Sequence, residues 1–296
     1  MRVLILSGKP GAFSVRRLDA AFRAGGHEVE ILDPFDLCIS FDHTGGAVLH
    51  DGRPVAADLV IPRLSARSAT PYTLALLRQL EAQGVIALNG ANAIEIARDK
   101  LRSLQALAAA QVAVPRTLVL AKKEHLVHTL ASIGGVPAVV KLLHGTQGIG
   151  VMLAESEEAL VTLLNALWSM REDSIVQRFV RESSGRDVRA LVVGGRVVAA
   201  MRRTAREGDF RANLHRGGGG EALTLDAASN DMALRAANVL GLEVAGVDLL
   251  EANGRPLVLE VNTSPGLEGI EAASGRDVAR EIKDHAESVV RSRRAR

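Results

Sequence analysis

The chain of 296 residues has one cysteine, Cys38. A single thiol excludes an internal disulfide and any thiolate metal cluster. Long apolar runs are missing too. The opening MRVLILSG is too short for a signal peptide or a membrane span, so a cytoplasmic protein with no membrane partner is expected. Charge of one sign is nearly balanced: a formal net charge of +2 gives no global field to recruit nucleic acid, and the basic run Arg291 to Arg296 reads as a solvated helix end. No Ser/His/Asp or Cys/His arrangement suggests a covalent nucleophile. Lysine is scarce, six residues against thirty arginines. Where either cation would serve, this chain carries Arg; Lys100 and Lys141, the two lysines in structured apolar surroundings, are therefore candidates for positions that need a compact ammonium.

A hydrophobic content of 47% with 24% charged residues excludes disorder for most of the chain, and the length allows two or three packed units. Short apolar strands alternate with helical patterns over the first ninety or so residues: Val3 to Leu6, a helix near Arg16 to Ala24, Val29 to Leu32, Leu59 to Ile61, a helix near Pro71 to Gln83, and Ile86 to Leu88. This is the rhythm of a small α/β layer with parallel strands. Its SGKPG turn lacks the full P-loop pattern. A second unit is expected from Asn92, with a helix over Asp99 to Ala110, strands at Arg116 to Leu120, Ala138 to Leu142 and Val151 to Ala154, and a helix from Glu157 to Trp168 capped by Ser156. A third begins at Ile175, with a hairpin turned at Gly194-Gly195, a helix over Ala227 to Leu240 and a final helix over Asp277 to Val290. The expected division is 1–91, 92–174 and 175–296, an α/β (α+β) chain in three pieces with a ligand between them.

The stretch VAGVDLLEANGRPLVLEVN carries the most information. It reads as two apolar strands around Asn253-Gly254, with Asp248 on the first and Glu260 and Asn262 on the second. Directly paired residues share a face, so a two-residue loop would pair Asp248 with Leu259 and send Glu260 to the opposite side. A five-residue loop from Ala252 to Pro256 pairs Asp248 with Glu260 and keeps Pro256 out of the ladder, and is the expected arrangement. Asp248, Glu260 and Asn262 are then three hard oxygen ligands on one face, a set that suits Mg²⁺ carrying nucleotide phosphates. A solvated hairpin with its polar residues outward is the competing reading.

Lys141 ends the strand AVVK and precedes HGTQGIG and another strand, the pattern of a glycine flap over phosphates, though a plain hairpin turn would share it. A Rossmann fingerprint would need a helix after those glycines. Asp187 and Arg189 lie on one strand, and the loop GDFRANLHRGGGG holds Arg211 and Asn213, read as phosphate ligands. Its glycines cost entropy unless the loop closes over something.

Lys100 in ARDKLRS, Lys141 in VVKLLHGTQGIGV, Asp187 in GRDVRALVVG, the loop EGDFRANLHRGG and the pair VAGVDLL and LEVNTSPGLEGIE together resemble the ATP-grasp superfamily and, within it, the RimK-type α-L-glutamate ligases. The resemblance covers essentially the whole chain. It implies an ATP-grasp fold behind a Rossmann-like pre-ATP-grasp domain, and an ADP-forming ligase that joins L-glutamate, singly or as poly-α-glutamate, to the C-terminus of the sixth small-subunit ribosomal protein. It implies ATP contacts at Lys100 and Lys141, a hinge at Gln177, Arg178, Phe179 and Val180 facing adenine, and ribose contacts at Asp187. Arg211, Ala212 and Asn213 would lie at the phosphate end, with Arg211 and Asn262 in catalysis. Two Mg²⁺ ions, replaceable by Mn²⁺, would sit on Asp248, Glu260 and Asn262. Relatives commonly carry an acid where Arg178 stands, which leaves adenine recognition there to backbone groups. Arg63, Arg203 and Arg216 are candidates for the acidic substrates. A homo-oligomer is expected. Ligation to another carrier protein or cofactor, and a nucleotide-binding regulator of translation without turnover, are the alternatives; the intact metal ligands argue against the second.

Overall fold

The computed structural model describes residues 1–43, 45–65, 68–122, 124–143, 150–206, 210 and 219–295. It opens with β1 (Arg2–Leu6), α1 (Phe13–Ala24) and β2 (Glu28–Leu32), then β3 (Leu37–Asp42), β4 (Gly45–His50) and β5 (Arg53–Pro54), then β6 (Leu59–Pro62), α2 (Pro71–Ala82) and β7 (Ile86–Ala87). Strands β2-β1-β6-β7 form a parallel sheet in that order. Its central strands are buried almost throughout, which is why β1 and β6 read as continuous apolar runs. The antiparallel β3-β4-β5 layer has no clear signal in sequence: its strands mix glycine, histidine and aspartate with apolar residues and show no clean alternation.

Helices α3 (Ala91–Arg98) and α4 (Lys100–Ala109) follow. Asp99 ends the first and caps the second, accepting from the N–H groups of Leu101 and Arg102. The next sheet has order β10-β9-β11-β8, from β8 (Thr117–Val119), β9 (Ala138–Leu142), β10 (Val151–Ala154) and β11 (Ser174–Arg178). Helices α5 (Glu124–Thr129) and α6 (Glu157–Ser169) accompany it; Ser156 caps α6, as its position implies, with Oγ 3.1 Å from the N–H of Ala159. The third sheet, β14-β13-β12-β15-β16, is antiparallel and comprises β12 (Arg186–Val193), β13 (Arg196–Thr204), β14 (Gly219–Ala222), β15 (Val244–Ala252) and β16 (Arg255–Asn262). Helix α7 (Ala227–Val239) packs on one side, and α8 (Glu268–Ser274) and α9 (Val278–Arg294) complete the chain.

The cores do not follow chain order. One apolar cluster joins Val3, Ile5, Leu18 and Phe22 of the N-terminal layer to Leu191, Val193, Met201 and Val244 of the third sheet and to Ile270 and Ile282 of α8 and α9. Leu107 of α4, next to the middle sheet in sequence, lies in the cluster between α7 and the third sheet. The middle sheet has a core of its own, built from Leu126, Ile133, Val140, Leu160, Leu164 and Val176. The N-terminal layer and the third sheet are thus cemented together, and the middle sheet faces them as a separately packed body.

Polar side chains lock the same junction. Asn89 is 1% exposed; its amide donates to the carbonyls of Val244 (2.7 Å) and Thr263 (3.0 Å), and its oxygen accepts from the N–H groups of Glu243 (2.8 Å) and Val244 (2.9 Å). Four bonds to two ends of the β15–β16 hairpin leave no polar atom of this carboxamide unmet. Asn89→Ala is expected to destabilise the chain by about 3 kcal/mol, because the backbone groups it served stay buried without partners. Urea unfolding of the variant against the parent chain measures this.

Candidate active site

The acid hairpin reaches the expected pairing by an unexpected route. Asn253 (φ 51°) and Gly254 (φ 73°) form a two-residue turn, with Ala252 paired to Arg255 and Glu251 to Pro256. Both turn residues have positive φ, the backbone that suits the twist of a tight hairpin and favours Asn-Gly. The five-residue loop is therefore wrong, and so is the exclusion of Pro256 from the ladder. Pairing runs regularly to Leu249 with Val258 and then jumps to Asp248 with Glu260. Leu259 is the additional residue of a β-bulge, and it supplies the change of parity that an odd loop was expected to supply. Pro256 is tolerated because β16 is an edge strand. Val258, two residues on and facing the same way, sends its N–H out of the sheet to the carbonyl of Ala113 at 2.8 Å, so the missing N–H of Pro256 falls on the outer side.

Register places the remaining side chains. Arg189 pairs with Asp248, Asp187 with Arg203 and Gly246 with Asn262, so Asp187, Arg189, Arg203, Asp248, Glu260 and Asn262 share one face. Asp248 is 4% exposed. Arg189 grips it with both arms, Nε to Oδ1 and Nη2 to Oδ2, each at 2.7 Å. Arg203 adds Nη2 to Oδ2 at 2.9 Å, and Asn262 Nδ2 stands 3.3 Å from the same oxygen. Arg203 also holds Asp187, Nε to Oδ1 and Nη2 to Oδ2, both at 2.6 Å. Burial alone would lift the Asp248 carboxyl, but the two guanidiniums outweigh it and hold the group below the usual carboxylate range. Asp187, buried beside that second carboxylate and served by one guanidinium, is pushed up to about 6.

Two lysines lie within the electrostatic reach of Glu260 on this face. Lys141 lies on β9, and desolvation pulls its ammonium down to about 8, against the attraction of Glu260. Lys100, at the start of α4, is lowered by the same cause and opposed by the same carboxylate; its Nζ donates to the carbonyl of Leu143 at 2.9 Å. Glu260 thus couples electrostatically to both cations, one on the middle sheet and one packed with the third. Of the hinge, Gln177 and Val180 are buried, the Gln177 amide donating to Thr117 Oγ1 at 2.9 Å, and Phe179 meets Phe210 edge to face at 6.1 Å.

The substrate arginines fare differently. Arg63 is spent on the turn after Asn262, donating to the carbonyl of Pro265 at 2.7 Å, and burial lowers it to about 10. Arg203 belongs to the carboxylate network. Arg211, Ala212, Asn213, Arg216 and the flap 144–149 lie outside the described residues. The spacing of Asp187 and Arg189 puts both on one face, but the cross-strand partner that Arg189 clamps, Asp248, is not visible in sequence. Among the described residues no three His, Cys, Asp or Glu side chains gather as a metal cluster.

A model of the RimK-like ATP-grasp domain matches residues 97–286, and one of the RimK pre-ATP-grasp domain matches residues 1–94. The chain belongs to the RimK family of ATP-grasp ligases. It is 46% identical over 295 residues to a probable alpha-L-glutamate ligase of Thioalkalivibrio sulfidiphilus, across 99% of this chain and 98% of the relative. The RimK domain protein ATP-grasp from Sphaerobacter thermophilus resembles it with a TM-score of 0.73 at 25% identity, over 96% of this chain and 99% of that one. The ATP-grasp ligase PsnB, solved with a minimal precursor, Mg and ADP, gives a TM-score of 0.75 at 23% identity, over 98% and 97%. The α/β architecture with its N-terminal layer is that of the family, and membership makes the chain an ADP-forming acid–amino-acid ligase. No helix among the described residues is long and apolar enough to cross a membrane.

The carboxylate network yields one stability test. Arg203→Met leaves Asp187 without its guanidinium and Asp248 with one fewer, and is expected to cost about 3 kcal/mol at pH 8. Asp187, already raised to about 6, rises further without Arg203, so the penalty should shrink as the pH falls through that higher value and the carboxyl takes up a proton. Urea melts at pH 8 and pH 5.5 compare the two.

Proposed function

We propose that this ligase activates a carboxylate with ATP and joins it to the amine of L-glutamate, its acceptor being the C-terminus of a small-subunit ribosomal protein. The observation that carries the reading is the convergence of Lys100 and Lys141 on Glu260, within one face that also carries Asp248 and Asn262. Two cations poised for phosphates against hard oxygen donors are the requirements of a nucleotide site. The relative named as an alpha-L-glutamate ligase supports glutamate, and the complex of PsnB with precursor, Mg and ADP supports the nucleotide and a peptide acceptor. We take residues 1–91, 92–174 and 175–296 as three successive segments, between which α4 is lent to the third sheet and β11 to the middle one, with the hinge at Gln177 to Val180 offering backbone groups to adenine.

Asp248, Glu260 and Asn262 would hold Mg²⁺, or Mn²⁺ in its place, and these three hard donors fit such an ion. When bound, the ion neutralises phosphate charge. The acceptor carboxylate attacks the γ-phosphorus, the bond to the β,γ-bridging oxygen breaks, and ADP leaves an acyl phosphate. The α-amine of glutamate then displaces phosphate and loses a proton, forming the amide. Lys141 and Lys100 bind the phosphates, Asp187 faces the ribose, and Arg211 with Asn213 serves the transferring group. Water is kept from the acyl phosphate by the glycine loops.

With ATP, Mg²⁺, glutamate and a peptide ending in glutamate, the chain should release ADP and phosphate and lengthen the peptide by glutamyl masses. AMP with pyrophosphate would contradict the acyl-phosphate route. Glu260→Gln should lower turnover by about a hundredfold or more while melting like the parent chain. The pH dependence follows from Lys141, which carries its charge below about 8 and loses it above. The KM for ATP should accordingly climb as the pH is raised through 8, while Lys141→Arg should hold it flat.

A further inference from the structure

Among the described residues, Oδ2 of Asp248 accepts from Arg189 and Asn262 and is ion-paired with Arg203, whereas Oδ1 accepts from Arg189 Nε. Oδ2 is the more heavily occupied oxygen, so Oδ1 is the one better placed to meet a cation, past the guanidinium already on it. The wider charge pattern points the same way. Among the described residues, the carboxylates Asp187, Asp248 and Glu260 are matched against four cations, Arg189, Arg203, Lys100 and Lys141. Counted over these described residues, the face is net positive. Such a site repels a bare divalent cation and attracts a polyphosphate, and low-dielectric surroundings strengthen both effects.

We propose that Arg189 is a positioning residue that withholds Asp248 from free divalent cations and presents one oxygen, Oδ1, to a cation that arrives with nucleotide phosphates. This rests on the reading of Asp248, Glu260 and Asn262 as the cation's holders. Arg189 neutralises Asp248 while the site is empty of nucleotide, which prevents a buried uncompensated carboxylate. Once polyphosphate charge is present, the balance reverses and the cation is drawn in. Nucleotide and metal then bind with positive coupling, and neither alone completes the site.

Mn²⁺ binding to the full chain, followed by loss of the free-ion electron paramagnetic resonance signal, tests this without turnover. For the parent chain, Mn²⁺ alone should bind weakly, and saturating ADP should tighten it by about tenfold or more. Arg189→Gln, which releases Oδ1, takes one donor from Oδ2 and removes one positive charge, should bind Mn²⁺ alone about tenfold more tightly than the parent and show less tightening by ADP. Arg189→Lys keeps the charge without the two-armed grip and should fall between them, which keeps the test open if the Gln variant does not fold. Equal Mn²⁺ affinity of the parent with and without ADP would overturn the proposal, as would a folded Gln or Lys variant with the parent's ADP-free affinity. Failure of the underlying site is separately visible: if Glu260→Gln takes up Mn²⁺ with ADP as the parent does, the cation is held elsewhere.

Discussion

A carboxylate buried at 4% exposure inside a β-sheet sets the terms for the residues around it. Left alone, the Asp248 charge would cost several kcal/mol in lost hydration. The chain answers with Arg189 from the neighbouring strand, Arg203 from the strand beyond and Asn262 from the hairpin partner. Arg203 in turn anchors Asp187, so five side chains on four adjacent strands form one connected network. Each member needs its strand in register, and a slip by one residue would turn its partner to the α7 side. The network therefore demands an ordered sheet while keeping a charged group ready inside an apolar layer.

Packing separates the two bodies that carry the candidate site. The N-terminal layer and the third sheet share an apolar cluster, reinforced by Asn89, by Arg63 on the 264–265 carbonyls and by Arg17 on Glu271. The middle sheet closes its core within itself. Lys141 is carried by that separate body, and the acid face belongs to the cemented one. A ligand held between them spans two independently packed surfaces, which suits a site that must admit substrates and then exclude water.

Much of this was legible in sequence because periodicity reports burial. The apolar runs of β1 and β6 and the spacing of Leu160, Leu164 and Leu167 correspond to observed buried faces. The loop motifs carried the family. What could not be read was register. Asn253-Gly254 signalled a two-residue turn, and the acids required odd parity; the bulge at Leu259 reconciles them, yet nothing in PLVLEVN marks Leu259 as the additional residue. The Arg189–Asp248 clamp joins groups 59 positions apart, across a helix, and only the strand order of the folded sheet brings them together. Lysine scarcity, a compositional signal, did single out the two cations that face Glu260.

The central claim is that the bulged hairpin, through Asp248 and Glu260, is where a nucleotide-borne cation is held. A crystal of the chain grown with ADP and Mn²⁺, with diffraction recorded to locate manganese by its anomalous signal, tests it most directly. The account predicts a manganese peak touching one oxygen of Asp248 and the carboxylate of Glu260, beside the phosphates that Lys141 approaches. Manganese bound to the phosphates but away from both acids, or Asp248 still gripped by Arg189 with Glu260 turned to the other face, would contradict it.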